Sequence, residues 1–230
     1  MMVKMCEVHD DIDLKRMLIE LELQLKEVEE ISVEEIARKV KKIGFRCQRC
    51  GDCCRGGDNN VLVFPFEIRR IICQTGENWL EMAEPPIDGE WDEKGNFHTL
   101  EWRLKKADQN CRYHSQGRCR IYDNRPLLCQ TYPFYLDGRQ LHWSECRGLN
   151  KPIEFQESMN LASLIKKRRI IEVQEAIKLI SKYMDFKRGL PSRYGLCVIH
   201  DSEGEHEIKW SQLRGMLDRC IENTYYRSIE

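Results

Sequence analysis

The chain has 230 residues, in which 37 Lys and Arg face 38 Asp and Glu for a formal net charge of −1. A balance so near neutral excludes a protein held to nucleic acid or membrane by its overall charge, and leaves only local patches open. The 41% hydrophobic content supports a core and excludes wholesale disorder, while the length suits one large or two small domains.

Met1 to Asp13 carries no apolar stretch of the kind a secretory leader needs, and no run approaches the ~18 apolar residues of a membrane span. A cytoplasmic location and no membrane partner are therefore expected. From Asp11 to Glu30, Leu14, Leu18, Leu21, Leu25 and Val28 recur at alternating spacings of four and three, which predicts one helix with an apolar stripe. Ser32 followed by Glu35 reads as a capping box for a second helix, carried by Ile36, Val40 and Ile43 and stopped at Gly44. The stripe is expected to pack on the rest of the domain; a coiled-coil seam is the weaker alternative, and the oligomeric state stays open.

From Gly44 to Gly148 helical periodicity fades. Val61–Phe64 reads as a short strand, Phe66–Cys73 as a helical turn or two, the stretch around Pro85 and Pro86 as loop, and Phe97–Trp102 as a strand. Phe134–Leu136 and Leu141–Trp143 flank Asp137-Gly138-Arg139-Gln140, a hairpin signal. After Pro152 the apolar positions from Met159 to Met184 predict a long helix or a broken pair, ended by Gly189-Leu190-Pro191. A second hairpin is expected around Asp201–Gly204, and Ser211 is the expected cap of a last helix through about Tyr225. The fold class is α+β, an irregular Cys-rich metal-binding module with short antiparallel strands flanked by N- and C-terminal helices. Its segments are a helical arm (1–44), the cysteine-cluster domain (45–150) and a C-terminal helical region with a small hairpin (151–230).

Twelve cysteines in a chain of this size are the anomaly. In a reducing compartment they point to metal or redox chemistry ahead of disulfides. Cys47-Gln48-Arg49-Cys50-Gly51-Asp52-Cys53-Cys54 holds the strongest signal, because two residues between thiolates let a tight turn offer both sulfurs to one metal. It opens like a bacterial ferredoxin cluster motif and then departs from it at Cys54. Adjacent side chains tend to diverge, so Cys53 and Cys54 are not expected on one ion. Cys111, Cys119, Cys129 and Cys146 follow, with seven, nine and sixteen residues between them.

The CxxCxxCC block, followed by Cys119-x-Ile121-Tyr122-x-x-Arg125-Pro126-x-x-Cys129-x-x-Tyr132-Pro133 and a trailing Cys, closely resembles the YkgJ-type family of zinc- or iron-chelating cysteine-cluster proteins. The resemblance spans about Phe45 to Arg147. It marks Cys47, Cys50, Cys53, Cys54, Cys111, Cys119, Cys129 and Cys146 as the metal set, with Arg125, Pro126 and Pro133 as accompanying positions. A flagellin lysine N-methylase group shares a similar module, yet no Gly-rich loop after a convincing strand supports carrying methylation over.

Several arginines stand near these cysteines in sequence, and their charge suits compensation of thiolates as well as it suits solvation. Arg125 is the expected cofactor-binding residue outside the ligand set, since Pro126 stiffens the turn that presents Cys129. The irregular second group leans toward an iron–sulfur cluster, with 4Fe-4S the expected form and zinc the alternative. The function expected is an iron–sulfur protein in electron transfer or within a redox or modification enzyme; a zinc-stabilised interaction module is the alternative. No catalytic residue is assigned, and the redox or protein partner is unidentified.

Cys73, Cys197 and Cys220 read as core residues, and Cys6 has no spacing partner. His114 reads as a solvated loop histidine ahead of a metal ligand, while His98, His142, His200 and His206 show no metal spacing. Lys166-Lys167-Arg168-Arg169 reads as a solvated helix face, so nucleic acid is not an expected partner. Tyr132-Pro133-Phe134-Tyr135 is expected to wall the site from solvent.

Overall fold

The computed structural model describes residues 11–56, 60–183, 186–213 and 215–227. Cys6 and Met184 lie outside them. Seven helices are described: α1 (Asp11–Glu30), α2 (Val33–Ile43), α3 (Pro65–Thr75), α4 (Trp79–Met82), α5 (Leu127–Thr131), α6 (Phe155–Tyr183) and α7 (Met216–Arg227). The strands are β1 (Leu62–Val63), β2 (Ala83–Glu84), β3 (Gly89–Trp91), β4 (Phe97–Leu100), β5 (Trp102–Leu104), β6 (Lys106–Ala107), β7 (Asn110–Cys111), β8 (His114–Ser115), β9 (Arg118–Cys119), β10 (Phe134–Asp137), β11 (Gln140–Trp143), β12 (Cys197–Asp201) and β13 (Gly204–Ile208). The class is α+β, as the patterning predicts. No described helix is long and apolar enough to cross a membrane.

The described residues fall into two compact units that interleave along the chain. One takes Ile19–Val61 and Lys106–Ala176; the other takes Leu62–Lys105, the chain from Ile177 onward and the start of α1.

In the first unit, α2, the β10–β11 hairpin and the first half of α6 meet around Ile36, Ala37, Val40, Phe134, Leu136, Ala162 and Ile165. Burying the Ile, Val, Leu and Phe side chains contributes roughly 1.5–3 kcal/mol each. Gly44 ends α2 at φ +76, its N–H bonded to the Val40 carbonyl, a conformation only glycine adopts without strain. Ser32 is the N-cap without a side-chain bond, because Glu35 turns outward to Lys39 Nζ at 2.8 Å. An (i, i+4) ion pair has displaced the expected capping box.

The basic run on α6 is not a solvated face. Lys166 Nζ donates to the carbonyls of Glu29 and Ile31, each at 2.8 Å. Arg168 donates to Thr131 Oγ1 at 2.6 Å, and the buried Arg169 donates to Gln24 Oε1 at 2.8 Å. One helical turn spreads four cations around the circumference, and three of those directions meet packed protein. Only Lys167 of the run is exposed.

In the second unit β13, β12, β4 and β3 form a sheet in that order, with β12 parallel to β4, and β5 lies between β1 and β2 in another. The expected Phe97–Trp102 strand is two, since Glu101 at φ +65 breaks it and sends β4 and β5 to different sheets. The last helix also starts later than expected: Ser211 lies within a 3-10 turn (Trp210–Gln212), and α7 begins at Met216. Cys197 and Cys220 are buried, as expected. Cys73 is exposed, because α3 turns Ile68 and Ile71 inward and residue 73 falls on the opposite side.

Candidate metal centre

The two ends of the cysteine segment are zipped together before any thiol is placed. Arg46 N–H donates to the Gly148 carbonyl at 2.9 Å, Asn150 N–H donates to Gly44 at 3.0 Å, and Phe45 bridges Leu149 between them. This brings the first cysteine, Cys47, to the last, Cys146. Gly148 has to be glycine here, since a Cβ would stand 2.5 Å from the Arg46 carbonyl oxygen. Its N–H points at Cys146 Sγ at 3.4 Å.

The CxxCxxCC block folds as a knuckle. Arg49 (φ +52) and Gly51 (φ +75) both take left-handed backbone, and a 3-10 turn over Asp52–Cys54 follows. That tight turn holds Cys53 Sγ and Cys54 Sγ 4.0 Å apart, so the two adjacent thiols are together and not divergent. Asp52 takes Arg147 Nε at 2.8 Å and Arg55 at 3.7 Å, which ties the knuckle to the chain just after Cys146.

The second group arrives on two minimal hairpins. Asp108 and Gln109 (φ +47 and +65) turn β6 into β7, and Gln116 and Gly117 (φ +50 and +73) turn β8 into β9. Two consecutive positive φ values are the signature of the type I′ turn, which matches strand twist. Cys111 ends β7. Cys119 on β9 is paired with His114 on β8.

The thiols form a chain of interactions with Cys54 at its middle, in hydrogen-bond contact with both Cys53 and Cys111. Cys54 is pushed up by those two bonds and keeps its proton. Cys53 is lowered to about 7, chiefly by the bond from Cys54, and Cys111 is lowered to about 7 by Cys54 with further help from the amides of Tyr113 and His114. Burial pushes Cys119 up, and it also pushes up Cys146, which feels Cys50, Cys47 and Cys53. Seven of the eight predicted cysteines are thus within electrostatic reach of one another. Cys129 sits on α5, where its carbonyl accepts from Arg125 Nε at 3.4 Å.

Arg125 lies 3.9 Å over the Tyr122 ring, which also takes Arg49 at 4.4 Å, and Arg125 Nη1 donates to the Tyr122 carbonyl at 2.5 Å. Its charge favours ionised Cys53 and Cys119. Arg112 and Arg120 both lie on Tyr113, at 5.5 and 5.8 Å. Of the expected aromatic wall, Tyr132 is the member that feels the thiols' charge: burial, then Cys146, Cys53 and Cys50, raises its phenol, whose hydroxyl donates to the Glu145 carbonyl at 2.6 Å. Phe134 goes into the core, while Tyr135 is exposed.

Among the described residues, no three Cys, His, Asp or Glu side chains close around one point. Cys54 contacts Cys53 and Cys111, while Cys119 and Cys146 feel the other thiols only through their charge. The donor set fits a soft metal: it is all sulfur, partly ionised and flanked by guanidinium groups. No disulfide joins the described cysteines.

His114 is not a solvated loop residue. Its Nε2 is buried with no hydrogen-bond partner, packed on Gly51. Sequence spacing gave no sign of this, because the contact depends on both the hairpin and the knuckle. In the second unit, His98 Nδ1 lies 2.8 Å from His200 Nε2, and His98 Nε2 lies 3.1 Å from Asp92. A cavity of about 330 Å³ in that unit is lined by Trp79, Leu80, Trp102, His206, Glu207 and Ile208.

Gathered thiols on knuckle and hairpin turns, outside the hydrophobic core, define a cysteine-rich metal-binding domain. Residues 46–156, a little under half of the chain, match the CxxCxxCC family, described as a putative zinc- or iron-chelating domain. This is the family that the cysteine spacing resembles. No curated protein and no solved structure matches the chain.

Proposed function

We propose that the CxxCxxCC domain binds zinc through its cysteines, one ion to each thiolate shell, and that the metal builds the fold of the segment in a zinc-stabilised interaction module. The observation that carries the reading is Cys54, whose thiol meets Cys53 at 4.0 Å from one end of the segment and Cys111 from the other. Around a single zinc with ~2.3 Å bonds, neighbouring sulfurs of a tetrahedron lie about 3.8 Å apart. A four-iron cluster binds one thiolate at each of four separate iron corners, which holds cysteines farther apart than that.

The ligands in this reading are drawn from Cys47, Cys50, Cys53, Cys54, Cys111, Cys119, Cys129 and Cys146. Arg125 holds negative charge beside them. Bound zinc replaces mutual thiolate repulsion with bonds, in a segment where only Tyr113, Ile121 and Pro126 are buried between β7 and α5. Reduced thiols in this number suit a reducing compartment such as the cytosol.

An iron–sulfur cluster serving electron transfer is the second reading, favoured by the irregular spacing of the later cysteines. Metal and acid-labile sulfide content separate the two. Zinc without sulfide in a colourless protein supports the first; iron with matching sulfide and visible absorption supports the second.

A further inference from the structure

We propose that His114 is a ligand of the metal centre, through Nε2, so that the centre takes nitrogen as well as sulfur; this rests on the metal-binding reading above. Four observations place it there. First, Nε2 is buried without a hydrogen-bond partner, and a buried imidazole nitrogen left unpaired costs about 1–3 kcal/mol unless something satisfies it. Second, it is packed on the cysteine knuckle itself: an ideal Cβ on Gly51 would lie 2.2 Å from Nε2 and 2.9 Å from Cε1. The residue just after Cys50 therefore leaves open the space that the ring occupies.

Third, the hairpin aims it. His114 and Cys119 are directly opposed in the β8–β9 pair, and opposed residues in an antiparallel ladder project from the same face. Fourth, the His114 backbone N–H donates to the Cys111 thiol, so the same residue holds one sulfur through its main chain while its ring tip reaches the knuckle. Cys54, in contact with Cys111, belongs to the same neighbourhood. Cys54, Cys111, Cys119 and His114 make a Cys₃His donor set, a known tetrahedral zinc shell. Replacing one thiolate with neutral imidazole also lowers the net charge of such a shell from about −2 to about −1, which leaves less charge to be compensated around it.

Zinc-edge X-ray absorption on the full chain, loaded with zinc and freed of excess metal, tests this. The expected shell contains nitrogen near ~2.0–2.1 Å beside sulfur near ~2.3 Å. His114→Cys is expected to keep its zinc and lose the nitrogen scatterer, and His114→Gln to retain less zinc per chain than the parent. An all-sulfur shell in a parent protein that holds its zinc overturns the assignment of His114 and leaves the metal-binding reading standing. A parent that binds no zinc overturns the zinc reading and, with it, the assignment of His114. Should His114→Gln fail to fold, the parent spectrum alone decides.

Discussion

Gly51 and His114 compete for one volume, since a Cβ at residue 51 would stand 2.2 Å from His114 Nε2. Gly51→Ala is therefore expected to displace the histidine, strain the left-handed backbone of the knuckle and destabilise the protein by roughly 2 kcal/mol or more, with loss of bound metal. Gly117→Ala is the control. Gly117 also has a positive φ, but nothing lies within 4 Å of the added carbon, so only the backbone penalty of about 1–2 kcal/mol is expected. Denaturant titration of both variants, with metal content measured alongside, checks the difference.

Cys54 and Cys73 should behave as opposites. Cys54 contacts two other thiols, whereas Cys73 is exposed on α3. Cys54→Ser is expected to weaken metal binding by more than about 100-fold, beyond the loss that an outer-shell partner causes. Cys73→Ser should leave metal content unchanged and stability within about 0.5 kcal/mol. Competition with a chromophoric chelator reads both.

Lys166 and Lys167 are neighbours in sequence with different roles. Lys166 Nζ bonds the Glu29 and Ile31 carbonyls at the end of α1, where a cation also meets the negative end of the helix. Lys166→Met is expected to cost about 1–2 kcal/mol and Lys167→Met less than about 0.5 kcal/mol, measured by urea unfolding.

Alkaline pH should destabilise the second unit through its buried thiols. Burial pushes Cys220 up to about 12 and raises Cys197 as well, from an ordinary value of 9.0. Both folded values lie above the unfolded one, so this contribution to stability is intact below about pH 9 and is lost as pH climbs from there toward 12. Stability of the Cys220→Ala variant should fall less steeply over that window, whatever its absolute loss from the cavity. An equal slope in parent and variant would contradict the account.

What was legible in the sequence is what local periodicity and turn chemistry encode. The Leu14 to Val28 stripe marks α1, Gly44 marks the end of α2, and Gly138 marks the β10–β11 turn, since each depends on residues a few positions apart. What was hidden depends on the far side of a contact. Nothing in Lys166–Arg169 announces the carbonyls of α1 or the Thr131 hydroxyl, and nothing near His114 announces Gly51. Cys73 reads as core because Ile71 and Ile72 precede it, yet one residue's rotation on α3 turns it outward. Spacing and resemblance mark the eight cysteines as a set. Their pairing through Cys54 required the knuckle and hairpins to be folded together.

The most direct test of the account is the metal and acid-labile sulfide content, with a visible spectrum, of full-length protein purified without oxygen or added metal. A colourless protein with at least one zinc per chain and no sulfide is expected. Iron with matching sulfide and broad visible absorption would contradict the one-ion thiolate shell and make the domain an iron–sulfur protein.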